Sequence, residues 1–221
     1  MLNHIFYIDY LMVATVSQSV QGSPTPASPK IKFLKTPTSQ AWVELAIANM
    51  DDILLDHAQC ERKAAGTAIQ MMSRYPSSER LVRELTAIAQ EELSHYEQVN
   101  QWLDRRGIPL QPVSPPPYGA SLKKAVRRQE PDRMLDLLLV SALIEARSHE
   151  RLGLLGTHCP DPKLAKFYRS LMASEARHYG IYWVLATLYF DRGLVEERLG
   201  ELAAVESDIL STLHPLPRVH S

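Results

Sequence analysis

The chain has 221 residues, of which 45% are hydrophobic and 22% are charged. This length and composition fit a folded globular protein with a sizeable core, and they exclude a fibrous or largely disordered chain. Lysine plus arginine (24) almost balance aspartate plus glutamate (25), so the net charge of -1 offers no overall attraction for nucleic acids or membranes. Any such binding must come from a local patch.

The cysteine content points to a reducing compartment. Cys60 and Cys159 are the only cysteines of the sequence, and they form no C-x-x-C pair. Two separate thiols cannot build a disulfide framework, and the missing pairs exclude a rubredoxin-type or zinc-ribbon site. This pattern favours a cytoplasmic location.

The first thirty residues contain the longest apolar run, from Ile5 to Val16. Asp9 interrupts this run, which is too short to span a bilayer. The run also lacks the preceding lysine or arginine of a signal peptide. We therefore predict no membrane segment, a loosely ordered extension over residues 1–30, and one helical domain over residues 31–221.

The 15 prolines leave four long proline-free stretches, at 38–75, 77–108, 132–159 and 163–214. Proline breaks helix interiors, so these stretches can hold long helices. Helix start signals precede them at Thr38 or Ser39, Ser77 or Ser78, Pro131-Asp132 and Asp161-Pro162. Apolar residues in each stretch recur at alternating steps of three and four, which places them on one helix face. The pattern predicts four long amphipathic helices, with a fifth from Leu194 to about Ser211.

The connections between the helices predict the topology. Short turns around Pro76 and Pro160 join the helices into two antiparallel hairpins. The stretch from Gly107 to Glu130 links the hairpins and could extend up to ~80 Å at about 3.3 Å per residue, enough to traverse a bundle. One long crossover distinguishes ferritin-like bundles from simple up-and-down bundles. The predicted fold is therefore all-α, a ferritin-like four-helix bundle with one long crossover and an additional C-terminal helix.

Each of the four apolar faces carries charge only near its middle. The charged members are Glu61 in the first helix, Glu92 and His95 in the second, Glu145 in the third, and Glu175 and His178 in the fourth. Each hairpin thus supplies one lone glutamate and one E-x-x-H motif, and both motifs lie about fifteen residues from their turns. At ~1.5 Å per residue this is about 22 to 24 Å. All six groups should therefore meet at one level of the bundle.

Four buried carboxylates would repel one another and need positive charge. Two divalent cations supply it, because four charges of -1 and two of +2 sum to zero. Oxygen ligands with imidazole suit iron or manganese, and two residues three apart on a helix can reach the same ion. We therefore predict that the six groups bind two metal ions, iron or manganese.

Other polar residues of the same faces receive weaker assignments. His57 and His149 lie one turn from Glu61 and Glu145, but the six-ligand set is complete without them. We expect them, with Tyr182, to support the ligands or to fill the core. A basic cluster on the crossover is a candidate RNA contact or an ordinary solvated surface. Its members are Lys123, Lys124, Arg127 and Arg128.

Several segments resemble a known family, the bacterial tRNA hydroxylases that act on 2-methylthio-isopentenyl-adenosine. These segments are AWVE at 41–44, DHAQCERKAA at 56–65, QEELSHYEQV at 90–99, LIEARSHER at 143–151 and SEARHY at 174–179. The resemblance extends over roughly residues 31–191. The E-x-x-H motifs are shared by many ferritin-like proteins, so the flanking strings carry the specificity for this family.

The resemblance implies a non-haem di-iron monooxygenase that hydroxylates the isopentenyl group of the modified adenosine next to the tRNA anticodon. It implies two iron ions held by the six predicted ligands, dioxygen as co-substrate and an external electron donor. The substrate base lies in the single-stranded anticodon loop, where it can be presented without melting a duplex. The sequence leaves the oligomeric state open.

Two other functions remain open at the level of sequence. A ferritin-like ferroxidase or a rubrerythrin-like peroxide scavenger would use the same six ligands, although the missing rubredoxin cysteines count against the second form. A metal-free helical interaction module is the other possibility, and it leaves the charged centres of the apolar faces unexplained.

Overall fold

The computed structural model describes residues 33–221, so the extension predicted over residues 1–30 lies outside the described residues. The described residues form seven helices and no strand. The helices are α1 (Gln40–Ala48), α2 (Met50–Arg74), α3 (Glu79–Arg106), α4 (Tyr118–Ala125), α5 (Asp132–His158), α6 (Pro162–Tyr189) and α7 (Arg192–Ile209). None of them is both long and apolar enough to cross a lipid bilayer.

The two predicted hairpins are confirmed. Helix α2 packs mainly against α3, and α5 packs mainly against α6. Two of the predicted start signals act through their side chains. Ser39 accepts a hydrogen bond from the Trp42 amide at 3.2 Å, and Asp161 accepts one from the Lys163 amide at 2.9 Å. These bonds satisfy amides that have no partner within the helix.

The single first helix predicted across residues 38–75 is wrong, because the chain breaks at Asn49 into α1 and α2. Asn49 has φ −135° and ψ 47°, outside the helical region, and its side chain donates to the Leu45 carbonyl at 2.8 Å. Asparagine competes for backbone hydrogen bonds in this way. Val43 and Met50 are buried on both sides of the break, so the apolar periodicity gives no sign of it.

Two further elements differ from the prediction. The crossover contains the short helix α4, which buries Tyr118 and Leu122 and packs against α7. Helix α7 begins at Arg192 and not at Leu194, because Asp191 caps it by accepting from the Gly193 amide at 2.9 Å. Gly193 therefore lies in the first helical turn.

The core of the bundle is divided into two half-cores. The turn-76 half-core includes Met71, Leu81, Leu138 and Leu185, and the turn-160 half-core includes Leu54, Leu103, Leu155 and Leu164. In every long helix the charged residues of the predicted ligand set lie between the two half-cores. We call these six residues the polar layer. The crossover leaves α3 beside the turn-160 half-core and enters α5 beside the other, so it traverses the bundle as predicted.

Candidate metal centre

The six residues of the polar layer are brought together as predicted and are almost completely buried. His95 is the most exposed at 7%, and Glu92 and His178 are each 1% exposed. Their ligand atoms form two groups, in each of which all atoms lie within 4.8 Å of one another. One group is Glu61, Glu92, His95 and Glu175, and the other is Glu92, Glu145, Glu175 and His178. Glu92 and Glu175 belong to both groups.

Both histidines present Nδ1 to the carboxylates. Nδ1 of His95 lies 3.4 Å from Oε2 of Glu92 and 3.9 Å from a carboxylate oxygen of Glu61 and of Glu175. Nδ1 of His178 lies 2.7 Å from Oε1 of Glu92 and 3.9 Å from Oε2 of Glu145. The two imidazole rings lie close together, with centroids 6.1 Å apart, and both contact Glu92.

The second nitrogen of each imidazole is held by a residue that the sequence analysis missed. Nε2 of His178 lies 2.8 Å from Oε2 of Glu91, which also pairs with Arg177 at 2.6 Å. Nε2 of His95 lies 3.2 Å from Oγ of Ser174. Glu91 and Ser174 each precede the glutamate of an E-x-x-H motif and reach the histidine of the other hairpin. That shared position is the one sequence signal that could have identified them.

Burial and mutual repulsion dominate the electrostatics of the polar layer. Burial raises the pKa of Glu61 and of Glu175 well above its ordinary value, and a neighbouring carboxylate raises each further. The pKa of Glu145 is raised by burial and then by Glu92. Burial also opposes ionisation of Glu92, but the neighbouring imidazoles of His178 and His95 outweigh it and lower the pKa of Glu92. Burial lowers the pKa of His178, but contacts with Glu145 and then Glu92 outweigh it and raise this pKa to about 10. One imidazolium balances only one of the four carboxylates, so the layer calls for further positive charge.

Unpaired polar atoms support the same conclusion. Both carboxylate oxygens of Glu92, Oε1 of Glu175 and Nδ1 of both histidines are buried without a hydrogen bond of proper geometry. The short contact between His178 and Glu92 therefore lacks the alignment of a hydrogen bond. Buried polar atoms are costly without partners. Because all five atoms belong to the polar layer, the donor set fits metal ions that would satisfy them.

The three supporting residues predicted from the sequence lie in different environments. Nε2 of His57 is 2.5 Å from Oε1 of Glu61, and its ring packs on Tyr168 with centroids 5.7 Å apart. Burial, and then His95, lowers the pKa of His57 to about 3, so its ring is neutral. His149 instead bonds the Met172 carbonyl through Nδ1 at 2.8 Å. Tyr182 is buried and hydrogen bonds with Ser141.

A small pocket of about 30 Å³ opens beside the polar layer. We call it the inner pocket. The four glutamates of the layer line it together with His57, Cys60 and Ser148. Val219 and His220 complete its wall. The sequence analysis made no prediction for these two residues, which follow α7 in a segment without regular structure.

The basic residues of the crossover lie at and beyond the end of α4. Lys123, Lys124 and Arg128 are exposed. Arg127 is half-buried, and it forms an ion pair with the buried Asp136 at 2.8 Å and with Asp132 at 3.2 Å. The Arg127 guanidinium is therefore engaged within the fold, whereas the other three cations face solvent.

Comparison with known proteins identifies relatives over most of the chain. Residues 25–221 match the model of a family described as tRNA-(MS2IO6A)-hydroxylase (MiaE). The tRNA 2-(methylsulfanyl)-N(6)-isopentenyladenosine(37) hydroxylase of Pseudomonas putida is 41% identical over 86% of this chain and 92% of its own length. The Salmonella typhimurium protein of the same name is 30% identical, covering 90% of this chain and 91% of its own length.

A solved structure shares the fold. It is described as protein 43 with aldehyde deformylating oxygenase activity from Synechococcus, and its TM-score with this chain is 0.84. The two are 50% identical over 86% of this chain and 96% of that one. The ferritin-like all-α fold predicted from the sequence is confirmed.

Proposed function

Because this chain belongs to the tRNA-(MS2IO6A)-hydroxylase family, we propose that it is a monooxygenase that hydroxylates the isopentenyl group of 2-methylthio-isopentenyl-adenosine in tRNA. The observation that carries the proposal is the polar layer, in which two overlapping groups of carboxylate and imidazole ligands share Glu92 and Glu175. We propose dioxygen as the oxidant and an external protein as the electron donor.

We propose that the polar layer holds two iron ions. Glu61 and His95 would contribute to one site, Glu145 and His178 to the other, and Glu92 and Glu175 belong to both groups of ligand atoms. Two ions of charge +2 would balance the four carboxylates, and oxygen ligands with imidazole suit iron. Iron bound there would supply the redox chemistry of dioxygen activation.

The residues around the layer fix the ligands and restrict the access of water. Glu91 and Ser174 hold Nε2 of the two imidazoles, which keeps Nδ1 directed into the layer; such partners orient metal-binding histidines. Nε2 of His57 contacts Oε1 of Glu61 at 2.5 Å, so the buried ring restricts the movement of that carboxylate. The apolar half-cores flank the layer on both sides, and the inner pocket beside it is small.

The exposed cations provide the complementary surface for RNA. Lysine and arginine contacts to phosphates position a nucleic acid without reading its sequence. We propose that Lys123, Lys124 and Arg128 contact the phosphates of the anticodon loop. Arg127 holds the crossover against α5 through Asp136 and so supports this surface from within.

The proposal is tested by reconstituting the purified chain with ferrous iron and supplying a reductant, dioxygen and tRNA that carries the unhydroxylated nucleoside. Nucleoside mass spectrometry should detect a gain of one oxygen atom on the isopentenyl group. A Glu92→Ala variant should give no product, because it lacks a proposed bridging ligand. In cells, deletion of the gene should abolish the hydroxylated nucleoside. Unchanged hydroxylation after deletion would contradict the proposed function.

Aldehyde deformylation is a second candidate, because the Synechococcus protein described by that activity is 50% identical to this chain. The same reconstituted protein should be offered an aliphatic aldehyde in place of tRNA, with release of the one-carbon product measured. Turnover of the aldehyde without turnover of tRNA would favour this function. The relatives reported above are named for hydroxylation and deformylation, so a ferroxidase or peroxide-scavenging function is not better supported.

A further inference from the structure

The inner pocket is too small for the substrate group. Its volume of about 30 Å³ leaves room for about two water molecules, each of which needs roughly 10–15 Å³ by this measure. A branched five-carbon group does not fit into that space. If the proposed hydroxylation is correct, part of the pocket wall must move before the isopentenyl group can reach the polar layer.

A larger cavity lies on the other side of this wall. Its volume is about 230 Å³, and its lining is largely apolar, including Pro116, Tyr118, Leu210 and Leu213. We call it the outer cavity. His220 lines both the outer cavity and the inner pocket, so its ring forms part of the partition between them.

The backbone around His220 is firmly anchored. Trp42 donates from Nε1 to the Arg218 carbonyl at 2.9 Å, and the Val219 amide donates to Asp56 at 2.8 Å. Arg151 donates to the carbonyls of Val219 and Ser221. Bonds on both sides of His220 therefore hold its main chain in place. Displacing the whole segment would break all of them.

The ring of His220 is held more lightly than its backbone. Nε2 lies 3.1 Å from Oγ of Ser148, Nδ1 lies 3.7 Å from Sγ of Cys60, and the ring stacks on Tyr118 with centroids 5.1 Å apart. Burial, and then Arg151, keep the pKa of His220 well below its ordinary value. The ring is therefore neutral, and rotating it away moves no charge through the apolar wall.

We propose that the ring of His220 is a side-chain gate between the outer cavity and the inner pocket, and that the isopentenyl group of the tRNA base passes this gate to reach the polar layer. The second half of the proposal rests on the proposed function. His220 acts as a positioning residue, because it determines which group can enter beside the carboxylates.

The location of the basic residues supports the outer cavity as the entrance. Tyr118, the first residue of α4, lines the outer cavity, and Lys123 follows five residues later on the same helix. Five residues rise about 7.5 Å along a helix axis. The exposed lysines therefore stand close to the cavity, where phosphates flanking an inserted base would lie. The apolar lining suits the methylthio and isopentenyl groups of that base.

The gate can be tested without metal or tRNA by labelling Cys60 with N-ethylmaleimide, because Cys60 lines the inner pocket beside His220. In the full-length metal-free chain we expect His220→Ala to raise the labelling rate of Cys60 at least tenfold, measured by mass spectrometry of the peptides. The labelling rate of buried Cys159 serves as the internal reference and should not change. His158→Ala, a histidine substitution at the end of α5, is the matched control and should leave the labelling rate of Cys60 unchanged.

A second variant distinguishes a gate from a packing defect. His220→Phe keeps an aromatic ring against Tyr118, so Cys60 should be labelled as slowly as in the wild type. Labelling as fast as in His220→Ala would contradict a gate formed by the ring. An unchanged rate in His220→Ala, or an equal acceleration of both cysteines, would also overturn the proposal.

The route of the substrate is tested separately with the iron-loaded chain. Leu213→Trp narrows the outer cavity and should raise KM for the tRNA at least tenfold with little change in kcat. Leu216→Trp is the matched control, because Leu216 is similarly exposed on the same segment but is not part of the cavity lining. Equal kinetics of the two variants would overturn entry through the outer cavity.

Failure of the proposed function can be distinguished from failure of the gate. If neither the wild-type protein nor any variant hydroxylates tRNA while the labelling results hold, the proposed function fails and the gate stands.

Discussion

Glu92 and Glu175 have a different place in the polar layer from Glu61 and Glu145. Each of the first two contributes to both ligand groups, whereas each of the other two contributes to one. Glu92 and Glu175 cannot be replaced by a neighbour, because removal of either one takes an oxygen from both groups at once. The consequences of substitution should therefore differ between the two classes.

We expect Glu92→Ala to abolish binding of both metal ions and Glu61→Ala to remove one ion more readily than the other. The bundle should stay helical in both, because removing a carboxylate from a metal-free layer also removes repulsion. Elemental analysis after loading with ferrous iron should give close to zero iron atoms per chain for Glu92→Ala and an intermediate number for Glu61→Ala. Glu97→Ala, an exposed position of α3, is the control and should bind metal like the wild type. Equal metal content in all three would refute the ligand assignment.

The residues of the polar layer could be predicted from the sequence because each places a glutamate or histidine side chain on a helix face that is otherwise apolar. That signal is local and periodic. Glu91, Ser174 and His220 escaped prediction because their roles depend on contacts between distant segments. His220 lies outside any regular element, where periodicity gives no information.

Among the elements, the long helices were predictable and the shorter ones were not. Long amphipathic helices repeat their apolar pattern over many turns, so proline positions and periodicity located α3, α5 and α6. The break at Asn49 preserves the buried face and is invisible to that pattern. Helix α4 has only eight residues, and its stability comes from packing against α7.

Asp136 links three elements and should be important for stability. It is fully buried on α5, and it pairs with Arg127 beyond α4 and with Arg198 on α7, each at 2.8 Å. Burial opposes ionisation of Asp136, but the two arginines outweigh it and lower its pKa. The charged form is therefore favoured in the folded state.

We expect Asp136→Asn to lower the free energy of unfolding by about 2–4 kcal/mol at pH 7, because it leaves two arginines without their partner. Because the folded-state pKa is depressed, this stabilisation is present above the ordinary aspartate pKa of 3.8 and is lost as the pH falls through the folded value. Urea unfolding should thus show a constant difference from the wild type between pH 7 and 5 that narrows below about pH 4. Asp132 is an exposed partner of Arg127, and Asp132→Asn should lower the free energy of unfolding by less than about 1 kcal/mol. Equal losses in the two variants would contradict the role of burial.

At the scale of the whole molecule, the polar layer separates the two apolar half-cores of the bundle. The layer contributes no apolar burial, and its carboxylates oppose folding in the absence of counter-charge. Metal binding should therefore stabilise the entire bundle, because the layer contacts all four long helices.

Ferrous iron added without dioxygen should raise the thermal midpoint of the metal-free chain. A free ligand concentration of a hundred times Kd adds about 2.7 kcal/mol per site to the free energy of unfolding. For a chain of this size, that gain raises the thermal midpoint by roughly 5–11 °C. Thermal unfolding followed by circular dichroism measures the shift, and a chelator should reverse it. A Glu92→Ala, Glu175→Ala double variant should show no shift. A midpoint that is indifferent to metal in the wild type would argue for a metal-free module.

The two hairpins run in opposite directions, and each supplies one glutamate and one E-x-x-H motif. The order and direction of their helices relate the two hairpins by an approximate two-fold axis that passes through the polar layer. A self-complementary dimer has the same symmetry. A true dimer must keep its two halves identical, but a covalent crossover removes that constraint. In this chain one imidazole faces the hydroxyl of Ser174 and the other faces the carboxylate of Glu91. The two hairpins therefore repeat the same order of ligands, but they give their imidazoles different hydrogen-bond partners.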